Sequence, residues 1–249
     1  MIMKKHLSVA FIITLISQTA FAQTDTLNVY GPGGPLSAMQ ECAKTFTVKT
    51  GIQVKVTGGP EAKWLAQAQQ NADVIYGGAE YMLTQFIQNH PGMVDATTRV
   101  ELYKRAAAIL VRPGNPKHIL TLKDLTKPGI HILDVNGAGQ LGLWEDIAGK
   151  ENLIGGIQQN IAGSFANTAL GIEAWKKDNT YDAWITYASW HQNLKNITQV
   201  VPLPFELRLY RGMPVALTSN NKHSQQAKQF IHFLQSAQGH TIFKKWGWE

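Results

Sequence analysis

The chain of 249 residues has a single cysteine, Cys42. No disulfide can form within it, so even in an oxidising compartment its stability must come from packing. Cys42 follows Met39 at helical spacing, the position of a buried core thiol. Only 16% of the residues are charged, and no cluster of Lys and Arg marks an arm for nucleic acid. The patterns H-E-x-x-H and G-x-S-x-G and any cysteine pair for zinc are missing, which leaves zinc and serine-nucleophile hydrolysis without their usual carriers. The eight histidines are scattered. His191 has no carboxylate or nucleophile near it in sequence, and Asp73 and Asp146 are acids that nothing marks as a general base. A catalytic reading has no anchor, and neither metal nor cofactor is expected.

Long hydrophobic runs are also lacking. The apolar stretch 7–16 is about half of the ~20 residues a spanning helix needs, and no later stretch comes closer. With Lys4 and Lys5 before it and 20-AFA-22 after it, it reads as a secretory signal cleaved after Ala22. The mature chain is therefore expected in the periplasm, without membrane insertion. The formal charge of +6 falls to about +4 once Lys4 and Lys5 are removed, and it is spread along the chain. That balance suits a small anionic ligand better than nucleic acid.

What is present is an alternation, from Leu27 onward, of short apolar runs with amphipathic segments, the pattern of an α/β protein with a mixed, mostly parallel sheet. The strand 27-LNVY-30 leads through 31-GPGGP-35 into a helix with Met39, Cys42, Ala43 and Phe46 on one face. A strand at 52-IQVKVT-57, the turn 58-GGP-60 and a helix over 61–70 repeat the plan. So do 73-DVIY-76, 77-GG-78 and a helix over 79–88. Three strands in succession thus end in glycine and open a helix, at the carboxyl ends where α/β sheets bind ligands; tight turning alone is the plainer alternative. Further on, the pattern predicts extended runs over 106–116 and 207–219, helices over 153–161 and 169–177, a strand at 197-ITQVVPL-203 and a C-terminal amphipathic helix. Two lobes follow, 23–107 plus 208–249 and 108–207, joined by extended crossings near 104–111 and 207–215 that form a hinge.

The stretch 136-NGAGQLGLWED-146 holds a literal G-x-G-x-x-G after the apolar run 130-IHILDV-135. A dinucleotide site would want an acidic residue about 20 positions on, and 152-NLIGGIQQNIA-162 has none. Bulky Leu141, Leu143 and Trp144 crowd the turn as well. The backbone device survives without the nucleotide: amides of Ala138, Gly139 and Gln140 at a helix start, with the helix dipole behind them, bind carboxylate, sulfate or phosphate. Asn136 and Gln140 add side-chain donors.

The segments 28-NVYGPGGP-35, 52-IQVKVTGGPEAKW-64, 72-ADVIYGGAEYM-82, 109-ILVRPGNPK-117, 132-ILDVNGAGQLGLWED-146 and 242-IFKKWGW-248 resemble the type II periplasmic solute-binding proteins. They resemble more closely the accessory colonization factor AcfC group of the molybdate- and sulfate-binding-like branch. The resemblance implies a two-lobed, monomeric protein that closes on a small anionic solute, a sulfate-like oxyanion or a carboxylate such as D-aspartate, usually for delivery to an ABC permease. It implies ligand loops at Gly33, Gly34 and Pro35; at Gly59, Lys63 and Trp64; at Gly78, Ala79 and Glu80; and at Asn136, Gly137, Ala138, Gly139 and Gln140. Arg105 and Arg208, one on each crossing, are candidate charge partners because a guanidinium grips such anions bidentately; a surface or hinge salt bridge is the alternative for each. A carboxylate at Glu80 would repel an anion unless it points away, caps its helix or receives an amino group. Trp190 is expected in the core, with the cleft wall as the alternative.

Overall fold

The computed structural model describes residues 26–249; the expected signal segment lies outside them. The chain runs β1 (Leu27–Gly31), α1 (Leu36–Thr50), β2 (Val54–Gly58), α2 (Leu65–Asn71), β3 (Val74–Tyr76) and α3 (Glu80–Asn89), then enters the long β4 (Val100–Val111). After it come β5 (Ile132–Val135), α4 (Leu143–Gly149), α5 (Ile154–Gln159), β6 (Ile161–Phe165), α6 (Thr168–Lys177), β7 (Ala183–Tyr187), α7 (Trp190–Asn193) and β8 (Gln199–Pro202). The chain returns through β9 (Tyr210–Leu217) and ends with α8 (Ser224–Gln235) and α9 (Ala237–Lys245).

The strands form one curled sheet in the order β2-β1-β3-β9-β4-β7-β5-β6, with β8 paired to β4. The outer pairs β1·β2, β1·β3, β5·β6 and β5·β7 are parallel, while every pair involving β4 or β9 is antiparallel. β4 pairs with β9 through Ala106, with β7 from Ala107 and with β8 from Ala108 onward. One strand thus serves both halves of the sheet.

Period-two alternation explains how the first half is covered. Leu27, Val29, Val74 and Tyr76 point to one face, where α1, α8 and α9 pack through Met39, Phe46, Phe230 and Phe243. Tyr30 and Ile75 point to the other, under Trp64, Leu83 and Phe86 of the α2–α3 side. Cys42 is fully buried on the inner face of α1, and burial pushes its thiol up to about 12. Gly51, at φ 78°, ends that helix in the left-handed conformation that glycine adopts without strain. The second half has its own core around Trp175 and Trp184.

Three local expectations change. The helix expected over 61–70 is a 3-10 turn at Glu61–Lys63 followed by α2, because Trp64, at φ −128°, interrupts it. The helix expected to run through residue 161 stops earlier and β6 begins there; its sequence IAGSF is too small and polar to read as a strand, and Gly163 is pressed against the Tyr181 hydroxyl. β4 starts at Val100, ahead of the apolar run, because antiparallel pairing with β9 carries Glu101, Lys104 and Arg105 into the sheet.

Candidate functional site

A cavity of about 500 Å³ lies between the lobes. The turns that follow β1, β2 and β3 form one wall, and the turn after β5 with the start of α6 forms the other. These are the carboxyl ends of parallel strands from both halves, where backbone amides are free to face a ligand.

Arg105 lines the cavity and is only 3% exposed. Its Nη2 donates to the Gly78 carbonyl at 2.9 Å, while Nε and Nη1 are buried without a hydrogen-bond partner. Desolvation lowers its pKa to about 10, so the guanidinium is still ionised at neutral pH. The Tyr187 ring lies 3.9 Å and the Trp248 ring 4.8 Å from the guanidinium carbon, which supports the cation through two π faces. A buried charge with unfilled donors is costly, by several kcal/mol, unless an anion completes it.

Glycine makes room for that charge. A methyl group at Gly34 would sit 2.9 Å from Arg105 Nη1, and one at Gly139 would sit 3.1 Å from Nη2. Turns from opposite lobes therefore approach the same guanidinium so closely that a Cβ at either glycine would require the arginine to shift.

Helix starts add positive potential. α1 opens after Gly33 and Gly34, and α3 opens after Gly78 and Ala79; the first amides of each have no partner within the helix. From the far side α6 contributes Thr168 and Ala169, behind an Asn167 cap that accepts from the Leu170 amide at 3.1 Å. The α6 start was not foreseen among the ligand loops. Its signal was present in 165-FANTALG-171, where an Asn N-cap precedes a helix after a strand end.

The glycine turn after β5 differs from expectation. Ala138, Gly139 and Gln140 form a 3-10 turn, and α4 starts only at Leu143. Left-handed Ala138, at φ 48°, and Gly142, at φ 69°, break any continuous helix. Ala138 and Gly139 line the cavity. The Gln140 amide is taken by the Gly137 carbonyl at 3.1 Å. Its side chain donates to Thr168 at 2.9 Å and accepts from Trp184 at 3.2 Å, so it braces the wall rather than facing a solute. Gly137 packs against the Ala166 carbonyl, and Asn136 is exposed away from the cavity.

The remaining candidates divide. Gly33, Gly34, Gly59, Trp64 and Gly78 line the cavity. Pro35 and Ala79 are buried behind the wall as the caps of α1 and α3. Lys63 is exposed and off the wall. Glu80 turns away and accepts from the Gly212 amide at 2.5 Å. Arg208 is also off the wall; its Nε donates to the Leu203 carbonyl at 2.8 Å. Trp190 lines the cavity, and its indole nitrogen is buried without a partner.

Contacts across the cleft hold the lobes together. The Tyr81 hydroxyl donates to the Ala138 carbonyl, Ser37 Oγ donates to Asn193 Oδ1 at 2.7 Å, and Arg211 lies 3.8 Å from Asp146. Among the described residues no helix is long and apolar enough to cross a membrane, and no cluster of three or more His, Cys, Asp or Glu could hold a metal.

Residues 27–249 match the family described as bacterial extracellular solute-binding protein. No curated protein sequence gives a significant match. Among solved structures, PEB3 bound to L-phospholactate is 30% identical with a TM-score of 0.83, over 90% of this chain and 99% of that one. Peb3 from Campylobacter jejuni is 31% identical with a TM-score of 0.82 over the same shares. The periplasmic molybdate-binding protein of Azotobacter vinelandii, at 14% identity, TM-score 0.68 and 90% and 98% coverage, shares the fold. That fold is the two-lobed α/β architecture of type II periplasmic binding proteins. With a family match across nearly the whole described chain and a cleft built around anion donors, this protein belongs to the bacterial extracellular solute-binding proteins.

Proposed function

We propose that this protein is a periplasmic receptor that takes up one small anion on Arg105 and the surrounding helix starts, and hands it to an ABC permease. The observation that carries this reading is the buried, unpaired guanidinium of Arg105 inside an interlobe cavity. An incoming carboxylate, phosphate or sulfate supplies the acceptors that Nε and Nη1 lack, and the low-dielectric site makes those charge-assisted bonds strong. Capture and release involve no bond chemistry.

Lobes of 23–107 plus 208–249 and of 108–207 would move about β4 and β9, breaking the Tyr81–Ala138 and Ser37–Asn193 contacts to admit the solute and re-forming them over it. Gly33, Gly34, Gly78, Ala138 and Gly139 supply the backbone approach from both sides. Glu80 is engaged by Gly212, and the carboxylate that does line the first wall, Glu61, lies 2.9 Å from His90 Nε2, so an acid and an amino acid such as D-aspartate both belong in the screen. Cleavage after Ala22 would deliver the mature chain to the periplasm. Phospholactate in PEB3 makes organic phosphates natural members of the first screen.

The test is a melting-temperature screen against sulfate, molybdate, phosphate, phospholactate, both aspartate enantiomers and dicarboxylates. Stabilisation should rise with the logarithm of ligand concentration above the Kd, with no conversion of the compound. Absence of any shift, or an equal shift in Arg105→Leu, would overturn the assignment.

A further inference from the structure

We propose that the outer face of the layer formed by α1, α8 and α9 docks the protein on anionic phospholipid headgroups. Along the chain the positive excess is spread, but the fold gathers it on one side. Residues 26–107 plus 208–249 hold thirteen Lys and Arg against seven Asp and Glu, whereas 108–207 hold eight against nine. No Asp or Glu occurs in 207–248, the stretch that supplies β9, α8 and α9. Most acids of the first half are already engaged, Glu41 by Lys245, Asp73 by His223, Glu101 by Arg99 and Glu61 by His90. Lys44, Lys49, Lys228 and Lys244 are exposed, and none of them forms an ion pair among the described residues.

Helical periodicity turns these cations outward together. On α1, Ala43 and Phe46 face the sheet, while Lys44 and Val48, one turn apart, face away from it. On α8, Ala227, Phe230 and Ile231 are buried, and Lys228 and His232 are exposed. On α9, Ile242 and Phe243 are buried beside exposed Lys244. The helices are held side by side: the Phe46 ring lies 5.3 Å from that of Phe230, and Glu41 of α1 meets Lys245 of α9 at 2.8 Å. Helices layered on one side of a sheet present their outer rows to a common surface. The unpaired cations are all lysines, compact charges on flexible stems that follow a fluid array of headgroups; a fixed acidic protein patch is better matched by arginine forks. Val48 stands among them, 82% exposed. Surface binding to anionic lipid draws on both such an apolar side chain and the charges around it. The cleft lies beyond the first turn of α1, whereas Lys44, Val48 and Lys49 lie in its last two turns, so docking leaves the cleft accessible.

The experiment is co-sedimentation of the protein with vesicles of phosphatidylcholine alone or mixed in equal parts with phosphatidylglycerol. The protein should sediment with the mixed vesicles at low salt and not with phosphatidylcholine alone. Binding should be lost at about 1 M salt, where the screening length falls to about 3 Å. The triple variant Lys44→Gln, Lys228→Gln, Lys244→Gln should bind the mixed vesicles about fivefold more weakly for each lysine removed. Lys123→Gln, Lys176→Gln, Lys177→Gln removes the same charge from exposed positions of the other half and should bind as the wild type does. Three results would overturn the proposal: no retention by the mixed vesicles, as expected if the face meets an acidic protein instead; equal retention by phosphatidylcholine; or equal weakening in both triple variants, which would make net charge and not this face the cause. The cleft is read separately. Both variants should keep the wild-type melting shift with the best anion, and loss of that shift in the wild type would bear on the anion site and leave the docking face standing.

Discussion

The guanidinium carbon of Arg105 lies 3.9 Å from the centre of the Tyr187 ring, and the hydroxyl of that tyrosine donates to the Gly139 carbonyl. Tyr187 belongs to β7 of one lobe, whereas the Arg105 Nη2 bond goes to Gly78 of the other. The arginine is thus clasped from both sides, and the glycine turn is tied to the ring that supports the charge. Tyr187→Phe keeps the π face and removes the tie. Its affinity for the best anion should fall by about fivefold, the worth of one hydrogen bond of about 1 kcal/mol. Tyr187→Leu removes both and should fall further. Titration calorimetry orders the three proteins.

Arg105→Leu separates stability from binding. The wild type holds an ionised side chain in the interior with two nitrogens unsatisfied, a cost that an apolar replacement of similar volume removes. Unliganded Arg105→Leu should be more stable than the wild type by about 1–3 kcal/mol, seen as a higher urea midpoint at unchanged m. Ligand-induced stabilisation should vanish. A variant both less stable and still stabilised by ligand would show that the charge is satisfied by something else.

Gly34 and Gly33 give a paired test of close approach. A methyl group at Gly34 would sit 2.9 Å from Arg105 Nη1, whereas at Gly33 the nearest atom is the Gly59 Cα at 3.9 Å. Neither glycine has positive φ, so backbone strain does not confuse the comparison. Gly34→Ala should displace the guanidinium and weaken binding by about tenfold or more, the scale of a 1–3 kcal/mol overpacking penalty. Gly33→Ala should bind nearly as the wild type does. Equal effects would mean that these turns act through flexibility and not through contact with the arginine.

Much of this site could be read from residues. Gly34, Gly78 and Gly139 each lie in the turn that follows an apolar strand, and a glycine there signals that the backbone must come near something. What it comes near is a long-range fact. Arg105 and Arg208 both sit in extended stretches, and only the pairing of β4 with β9 turns the first inward while the second meets Leu203. Lys63 follows its glycine turn as closely in sequence as Trp64 does, but the 3-10 turn sends it to solvent and the indole to the wall. β6 escaped because Ala162, Gly163 and Ser164 carry no strand pattern of their own; its strand is imposed by pairing with β5. With β6 went the α6 start, whose role depends on where that strand ends. Ala138 in the left-handed region likewise left no trace in composition.

The C-terminus closes the back of the site, and its attachment is sensitive to acid. Glu41 on α1 accepts from Lys245 Nζ at 2.8 and 2.9 Å and from the Trp246 indole at 2.7 Å. The Lys245 bond, foremost, holds its carboxyl below the usual carboxylate range. Two residues on, Trp248 walls Arg105, and Glu249 exchanges backbone bonds with Lys104 at 2.7 and 3.1 Å. A carboxyl with a depressed folded pKa adds stability that is fully present above its unfolded value of about 4.3 and is lost as pH falls through the lower folded value. Glu41→Gln should therefore cost about 0.5–1 kcal/mol at neutral pH, modest because the pair is partly solvated. The gap between variant and wild type should begin to narrow as pH falls below about 4.3 and close only below the depressed folded value, where the Glu41 carboxyl is protonated in the folded state too. Urea denaturation at neutral pH and again in acid reads this directly. A gap that persists unchanged in acid would mean that Glu41 acts by packing and not by charge. Anion affinity should shift less than stability does, because the Glu249–Lys104 pairing still holds Trp248 against the arginine.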